Sequence, residues 1–170
     1  MNISLSESMK EETTIQRSLH NHFSKNEPLQ NTKKNIIKIC LTELLSKLCF
    51  VIDNQIVLDY RYFKFIATKE NYQFIIQYIV SIMETMIKGH DQDKNTLTFH
   101  VNMSSITLLH IEKYYSFIQE LSEVLKQTFP DTLETCYIYN APFIFSKLFS
   151  VVSVFIDKKT LSKIKLIQEN

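Results

Sequence analysis

The sequence predicts an α/β domain whose mostly parallel β-sheet is flanked by helices. Segments with apolar residues at helical spacing alternate along the chain with short strand-like segments. The helical segments are long enough to connect neighbouring parallel strands, which need crossovers of a dozen or more residues. With 170 residues, 45% of them hydrophobic, the chain can enclose one sizeable core. We therefore expect one folded domain at residues 33–170, preceded by a polar, disordered or loosely helical tail at residues 1–32.

The composition excludes several classes of function. A single glycine leaves no Gly-rich loop to cradle a nucleotide phosphate. A formal net charge of +1 lacks the basic excess that is typical of nucleic-acid-binding proteins, so we expect no nucleic-acid partner. Three cysteines without a C-x-x-C pair favour a reducing compartment, and the polar N-terminal residues lack the apolar stretch of a signal peptide. These features predict a cytoplasmic protein.

The first half of the domain is predicted to contain two helices around a pair of strands. Residues 33–48 carry apolar side chains at helical spacing, which predicts an amphipathic helix. Two short β-branched runs, Cys49–Ile52 and Gln55–Asp59, flank a two-residue turn. Residues 69–88 have a narrow polar stripe, which indicates a largely buried helix ended by Gly89.

The next predicted elements are a strand and a helix that it leads into. Residues 97–101 alternate as a strand does, and Ser104 or Ser105 is expected to cap the helix that follows. This helix places a set of apolar residues on one face: Ile111, Tyr114, Ile118, Leu121 and Leu125.

The C-terminal part is predicted to add one strand and two helices. The strand lies at residues 134–139, and Pro142 opens the apolar helix after it, since proline suits the first turn of a helix. Asp157 is expected to cap a last helix at residues 158–167.

Candidate catalytic and metal-binding residues do not form a complete site in the sequence. Residues 91–95 begin like a calcium-binding loop, but Thr96 and Asn102 replace the glycine and the glutamate that such a loop requires. Cys136 and His100 could meet on adjacent strands as a nucleophile pair, although a free cysteine on a strand more often fills a core. No serine lies in a G-x-S-x-G motif. We therefore expect no enzyme activity, no bound metal and no cofactor.

The strongest anomaly is the apolar segment at residues 143–156, in which Lys147 carries the only charge. A surface helix of this length would show a charged stripe. Two interpretations stay open on the residues alone. The segment is either a helix buried against the sheet, or a helix that faces an apolar ligand on one side and a membrane on the other.

Several groups of residues in the last third of the chain match one family in order and spacing. They are Thr128-Phe129-Pro130-Asp131, Tyr137-Ile138-Tyr139-Asn140-Ala141-Pro142-Phe143, Phe155-Ile156-Asp157 and Thr160-Leu161-Ser162-Lys163-Ile164. The chain resembles the CRAL-TRIO domain family of lipid-binding proteins. The resemblance is strong over residues 97–167 and looser over the hairpin and the apolar helix that precede them.

The resemblance implies binding of a hydrophobic ligand, such as a phosphatidylinositol-like phospholipid, in an apolar cavity. It also implies transfer between membranes through transient contact with their surfaces, with a mobile gate helix at residues 145–163 that closes the cavity. In family terms, Asp131 and Lys163 contact the lipid head group. The apolar stripe of the gate, at three- and four-residue spacing, comprises Phe145, Phe149, Val152, Phe155 and Ile156.

Some residues depart from the family pattern. Asn102 and Met103 stand where the family has Asp and Gly after a strand, and Thr132 stands where Arg is common. Compared with other members of the family, we expect the domain to be shortened at both ends. Such shortening would leave one edge of the sheet unpaired, which would favour a homodimer. The alternative function is a non-enzymatic protein-interaction module that keeps a degenerate CRAL-TRIO core without a usable cavity.

Overall fold

A computed structural model describes residues 14–24, 41–89 and 95–167 of the chain. The chain divides into two units, Met1–Lys38 and Ile39–Asn170. In the first unit, residues 14–24 form a helix, α1, in which Leu19 and Phe23 are buried. This part of the tail, predicted to be disordered or loosely helical, is a helix. The rest of the predicted tail and residues 33–40 of the first predicted helix lie outside the described residues.

The described part of the second unit contains one five-stranded sheet. The strands are β1 (Cys49–Ile52), β2 (Gln55–Asp59), β3 (Leu97–Asn102), β4 (Leu133–Tyr139) and β5 (Ile164–Leu166). They lie in the order β1-β2-β3-β4-β5, with β1 antiparallel to β2 and each later pair parallel. The mostly parallel sheet that the sequence predicts is confirmed.

Helices connect the parallel strands. The helices of this unit are α2 (Leu41–Leu48), α3 (Tyr60–Ile66), α4 (Tyr72–Gly89), α5 (Leu108–Lys113), α6 (Tyr115–Thr128), α7 (Phe145–Val152) and α8 (Lys158–Leu161). α3 and α4 lie between β2 and β3, α5 and α6 between β3 and β4, and α7 and α8 between β4 and β5. The sheet flanked by helices is therefore an α/β architecture, as expected.

The hairpin and α4 follow the sequence pattern closely. Asp53 and Asn54 join β1 to β2 with positive φ values of 47° and 58°, which is the backbone of a type I′ turn. Asp and Asn enter this conformation more readily than most residues. On α4 the predicted polar stripe is exposed, while the opposite face is buried through Ile75, Ile79 and Met83.

Two elements after the hairpin differ from the prediction. The seven residues of α3 show no polar stripe, because five of them are buried, so their sequence gives no helical period. Asp59 caps this helix by accepting from the Arg61 amide at 3.2 Å. The helix predicted after β3 begins later than expected, with Thr107 as its N-cap, and it is interrupted at Tyr114. Ser104 and Ser105 therefore lie in a turn before the helix and do not cap it.

The C-terminal segment also differs from the prediction. Pro142 lies in a turn and α7 begins only at Phe145, whose amide donates to the Pro142 carbonyl at 2.9 Å. Asp157 caps α8 as predicted, accepting from the Thr160 amide at 2.8 Å. The predicted helix at residues 158–167 is wrong beyond Leu161, because the chain then turns and pairs with β4 as the short strand β5.

A buried polar network ties together the carboxyl ends of β2, β3 and β4. Arg61 donates to both carboxylate oxygens of Asp59, with Nη2 at 2.8 Å from Oδ2 and Nε at 3.0 Å from Oδ1. Asn102 donates to the same carboxylate at 3.1 Å and accepts from Asn140 at 3.0 Å and from the Ser104 hydroxyl at 2.9 Å. Because Asp59 and Asn102 are fully buried, these partners replace the water that the side chains lose on folding.

Candidate functional site

An apolar cavity of about 180 Å³ lies on the face of the sheet that carries Leu58 and Val101. The two residues are register partners in β2 and β3. Helices, mainly α3, α5, α6 and α7, supply most of the remaining lining, and Met103 and Ile106 come from the loop after β3. The described lining is aliphatic and aromatic apart from His110 and the hydroxyls of Tyr60 and Tyr114, and it includes no charged side chain at neutral pH. Such a cavity suits an apolar ligand.

Aromatic packing fixes one wall of the cavity. The ring of Phe63 on α3 lies 4.9 Å from that of Tyr114 and 4.6 Å from that of Phe117, measured between centroids. Tyr72 on α4 contacts Phe117 edge-on at 5.2 Å. The edge-to-face pairs, Phe63–Tyr114 and Tyr72–Phe117, add to the apolar burial of the rings. α3, α4 and α6 therefore form a well-packed wall.

The wall formed by α7 is less firmly held. Leu148, 4% exposed, is its only fully buried residue, and Leu148 and Val152 line the cavity one turn apart. No side chain caps the N-terminus of this eight-residue helix. A short helix with few buried residues and no cap opens more easily than the core around it.

Two buried polar atoms of residues that line the cavity have no hydrogen-bond partner among the described residues: the Tyr60 hydroxyl and Nδ1 of His110. The ring centroids of these residues lie 5.8 Å apart. Burial and the neighbouring Tyr114 raise the pKa of Tyr60, so its hydroxyl keeps its proton. Burial lowers the pKa of His110, and the positive charges of Lys64 and Lys113 lower it further, which favours the neutral imidazole.

The predicted gate stripe is divided between α7 and the turn that follows it. Of its residues, Val152 lines the cavity, and Phe145 is half-buried against the core and contacts the Phe149 ring at 6.1 Å. α7 ends at Val152, so Phe155 and Ile156 lie beyond the helix, where Phe155 packs on Tyr115 at 5.4 Å. The structure also brings Leu148, which is not part of the predicted stripe, to the cavity.

The two predicted head-group residues lie near the start of β4, and neither lines this cavity. Lys163 Nζ donates to the Leu133 carbonyl at 2.7 Å. Asp131 is exposed in a turn with a φ of 55° and pairs with Lys159 at 3.4 Å. The cavity lies toward the opposite, carboxyl end of the parallel strands, since Leu58 and Val101 are near the ends of β2 and β3. The structure does not bring the pair to the cavity.

The Cys136–His100 pair does not form. Cys136 is in register with Phe99, whereas His100 is in register with Tyr137, so the two side chains alternate to opposite faces of the sheet. The ring nitrogens of His100 contact the Tyr139 hydroxyl at 2.8 Å and the Gln55 side chain. Burial raises the pKa of Cys136 to about 12, which keeps it a thiol.

Within residues 14–24, 41–89 and 95–167, no three His, Cys, Asp or Glu side chains are grouped to hold a metal ion. The start of the calcium-like loop lies outside the described residues. None of the described helices combines the length and the apolar character that crossing a membrane requires.

Comparison with known proteins identifies the family. The model of the CRAL/TRIO domain matches residues 53–170, more than half of the chain. The chain belongs to the CRAL/TRIO domain family. The resemblance seen in the sequence is thereby confirmed, and the family supports lipid binding or transfer as the general class of function.

Two curated relatives and one solved structure agree with this CRAL/TRIO assignment. Over 70 residues, 41% of this chain, the sequence is 31% identical to the SEC14 cytosolic factor of Yarrowia lipolytica and 27% identical to the Sec14 cytosolic factor of Schizosaccharomyces pombe. The matched segment spans only 14% and 24% of those proteins. The crystal structure of Sfh5 shares the fold, with a TM-score of 0.62 at 16% identity, covering 76% of this chain and 50% of Sfh5.

The sequence placed some of the lining residues on one helix face but did not assign them to a cavity. Four residues that the helical period placed on one face, from Ile111 to Leu121, do line it. Tyr60 was missed because α3 was not predicted, although Asp59 offered an N-cap signal. His110 carries no local sequence signal, and no spacing rule links it to Tyr60 across 50 residues.

Proposed function

We propose that this domain binds one lipid-like molecule in the cavity and transfers it between membranes, with α7 and the turn after it as the gate. The observation that carries the proposal is the almost entirely apolar cavity, one wall of which is the weakly anchored α7. Membership in the CRAL/TRIO family supports the same function. Burying an acyl chain removes apolar surface from water, and each buried methylene contributes about 0.8 kcal/mol.

The volume of the cavity requires this gate to move. About 180 Å³ is below the roughly 300–1,000 Å³ of pockets that enclose drug-sized ligands. A whole phospholipid therefore needs an outward displacement of a wall. α7 is the wall to displace, because only Leu148 of that helix is fully buried, whereas the aromatic wall interlocks across α3, α4 and α6.

Exposed apolar side chains near α7 favour contact with a membrane surface during exchange. Phe143, two residues before α7, is 97% exposed, and Val154, two residues after it, is 73% exposed. Aromatic and aliphatic side chains of this kind insert at the boundary between head groups and acyl chains. We place the protein in the cytoplasm with transient contact to membranes; both curated relatives are named cytosolic factors.

The small volume also favours a second candidate, a protein-interaction module whose cavity takes no lipid. The two candidates differ in what copurifies with the protein. Native mass spectrometry of protein purified from cells would detect a lipid mass under the first proposal, and only the mass of the chain, from several expression hosts, under the second. A homodimer stays a prediction, and the same spectrum tests it.

A matched pair of variants links any copurified lipid to the cavity. Ile118→Phe adds volume at a half-buried residue that lines the cavity, so we expect the bound lipid to fall several-fold. Ile82→Phe makes the same change at a half-buried residue of α4 outside the lining and should leave lipid binding unchanged. Equal lipid occupancy in both variants would contradict binding in this cavity.

A second pair tests the membrane contact. Phe143→Asp should lower co-sedimentation with phosphatidylcholine vesicles several-fold without changing the melting temperature, since the side chain is exposed. Phe74→Asp alters a phenylalanine of α4 that is 49% exposed, and vesicle binding should persist. Undiminished binding of Phe143→Asp would remove this surface from the proposal.

A further inference from the structure

The first turn of α5 presents two aliphatic side chains to solvent. Leu109 is 74% exposed and Leu108 is 42% exposed, while another side of the same helix is buried through Ile111. A single exposed leucine is ordinary, but adjacent ones enlarge the apolar surface in contact with water. The described part of the fold therefore leaves an apolar part of α5 uncovered.

Two lysines from different elements border these leucines. Lys113 lies four residues after Leu109, so the two side chains share one face of α5. Lys64 on α3 donates to the Ser105 hydroxyl at 3.1 Å, in the turn before α5. The positive charges of both lysines lower the pKa of His110 on α5. Both ammonium groups therefore lie near the helix that carries the leucines.

Neither lysine is neutralised by a neighbouring carboxylate. Among the described residues, no acidic side chain forms a salt bridge with Lys64 or Lys113, whereas three other basic residues are paired in this way. Glu112 is the single acidic residue of α5, and it is exposed. With two lysines and one glutamate, this surface carries a positive excess, which attracts an anionic partner.

The same surface continues toward the turn after α7, which the proposed function assigns to the membrane contact. Tyr115, two residues after Lys113, is 42% exposed and packs on Phe155 at 5.4 Å between ring centroids. A bilayer covers exposed aliphatic and aromatic side chains, while lysines at their border reach the lipid phosphates. A soluble acidic protein would satisfy the lysines without any need for the leucines. The combination therefore favours a lipid surface.

We propose that α5 and the neighbouring part of α3 dock on membranes that contain anionic phospholipids. Leu108 and Leu109 insert at the boundary between head groups and acyl chains, and Lys64 and Lys113 contact the phosphate groups. The inference rests on the proposed function, since it extends the membrane contact beyond Phe143. It adds a preference for anionic over zwitterionic membranes.

Co-sedimentation of the full chain with two kinds of vesicle tests the lysines. One kind is phosphatidylcholine alone, and the other also contains phosphatidylserine. Lys64→Gln and Lys113→Gln should each lower binding to the anionic vesicles by about three- to fivefold and leave binding to phosphatidylcholine unchanged. Lys113→Arg keeps the charge and should bind as the wild type does. Lys126→Gln is the control, because this exposed lysine lies about 16 Å along α6 from Tyr115.

A second pair of variants tests the leucines. Leu109→Gln should lower binding to both kinds of vesicle several-fold, because it removes apolar surface from the contact. Val51→Gln makes a similar change at a residue of β1 that is 43% exposed, and binding should persist. The β1–β2 turn lies at the amino end of β2, whereas α5 follows the carboxyl end of β3. Melting temperatures verify that each variant is folded.

The outcomes separate this inference from the proposed function. If the wild type binds both kinds of vesicle equally and the lysine variants change nothing, the docking surface is overturned while the contact at Phe143 stands. An equal effect of Lys126→Gln and Lys113→Gln would assign the preference to net charge and overturn it too. If a poly-glutamate peptide binds through Lys64 and Lys113 but anionic vesicles do not, the partner is an acidic protein and the membrane proposal is wrong. If the wild type binds neither kind of vesicle, the membrane contact of the proposed function is overturned together with this inference.

Discussion

The two faces of the central sheet bury polar groups in opposite ways. On one face, His100 contacts Tyr139 and Gln55, and the hydrogen bond between Asn102 and Asp59 links the carboxyl ends of β3 and β2. On the other face, Tyr60 and His110 lie in an apolar cavity with unpaired atoms. Paired polar groups help to define a fold, whereas unpaired ones lower its stability. The contrast separates buried polar groups that are hydrogen-bonded from buried polar groups that have no partner among the described residues.

The largest expected effect is on the paired face, at the ion pair of Arg61 and Asp59. Their side chains are 6% and 0% exposed and approach to 2.8 Å. Arg61→Met removes one partner and leaves a buried carboxylate without its cation, which should lower the free energy of unfolding by about 3–5 kcal/mol. Urea unfolding followed by circular dichroism measures this change.

An exposed ion pair in the same domain is the matched control for that variant. Lys159 and Asp131 approach to 3.4 Å with side chains 70% and 79% exposed. Lys159→Met should cost less than about 1 kcal/mol, because solvent screens an exposed pair. If Arg61→Met and Lys159→Met lower the free energy of unfolding by similar amounts, burial of the Asp59–Arg61 pair does not make it more stabilising than an exposed pair.

The next effect is a dependence of stability on pH that differs between the histidines of the two faces. Burial lowers the pKa of His100 to about 4, below the usual 6.5. Between about pH 6.5 and pH 4, His100 therefore binds a proton in the unfolded chain but not in the folded chain. The contribution of His100 to the free energy of unfolding is complete above about pH 6.5 and decreases as the pH falls toward 4. The pKa difference corresponds to roughly 3 kcal/mol.

Substitution of each histidine tests whether His100 causes this pH dependence of stability. His100→Gln should remove most of that pH dependence, measured as the difference between the free energies of unfolding at pH 7 and pH 4. His110→Gln should remove less, because its lowered pKa comes from partial burial and from Lys64 and Lys113. A wild-type pH profile in His100→Gln would contradict the assignment.

The sequence predicted best the elements that local rules determine. The hairpin turn follows from Asp53-Asn54 and α4 from its polar stripe. α3 was missed because burial on nearly all sides leaves no period, and β5 was missed because three residues become a strand only by pairing with β4. The local sequence pattern shows neither that α3 will be buried on nearly all sides nor that β5 will pair with β4.

The candidate site likewise combines residues that a local sequence pattern predicts with residues that only tertiary packing places. The face from Ile111 to Leu121 was predicted, since one helix period defines it, and it lines the cavity. Leu148 replaced part of the predicted stripe because only the packing of α7 decides which side faces inward. The significance of Tyr60 and His110 comes from missing partners, which a sequence cannot display.

The smallest expected effect isolates one hydroxyl on each face. Tyr139→Phe removes a hydroxyl that is 2.8 Å from His100 Nδ1, so it should lower the free energy of unfolding by about 1 kcal/mol. Tyr60→Phe removes a hydroxyl without a partner in the described structure, so the ligand-free protein should keep its stability or gain slightly. Thermal melting of the two delipidated variants compares their stabilities, and both variants carry the same chemical change, from tyrosine to phenylalanine. A loss in Tyr60→Phe as large as that in Tyr139→Phe would mean that the Tyr60 hydroxyl is already satisfied, and the contrast between the two faces would not hold.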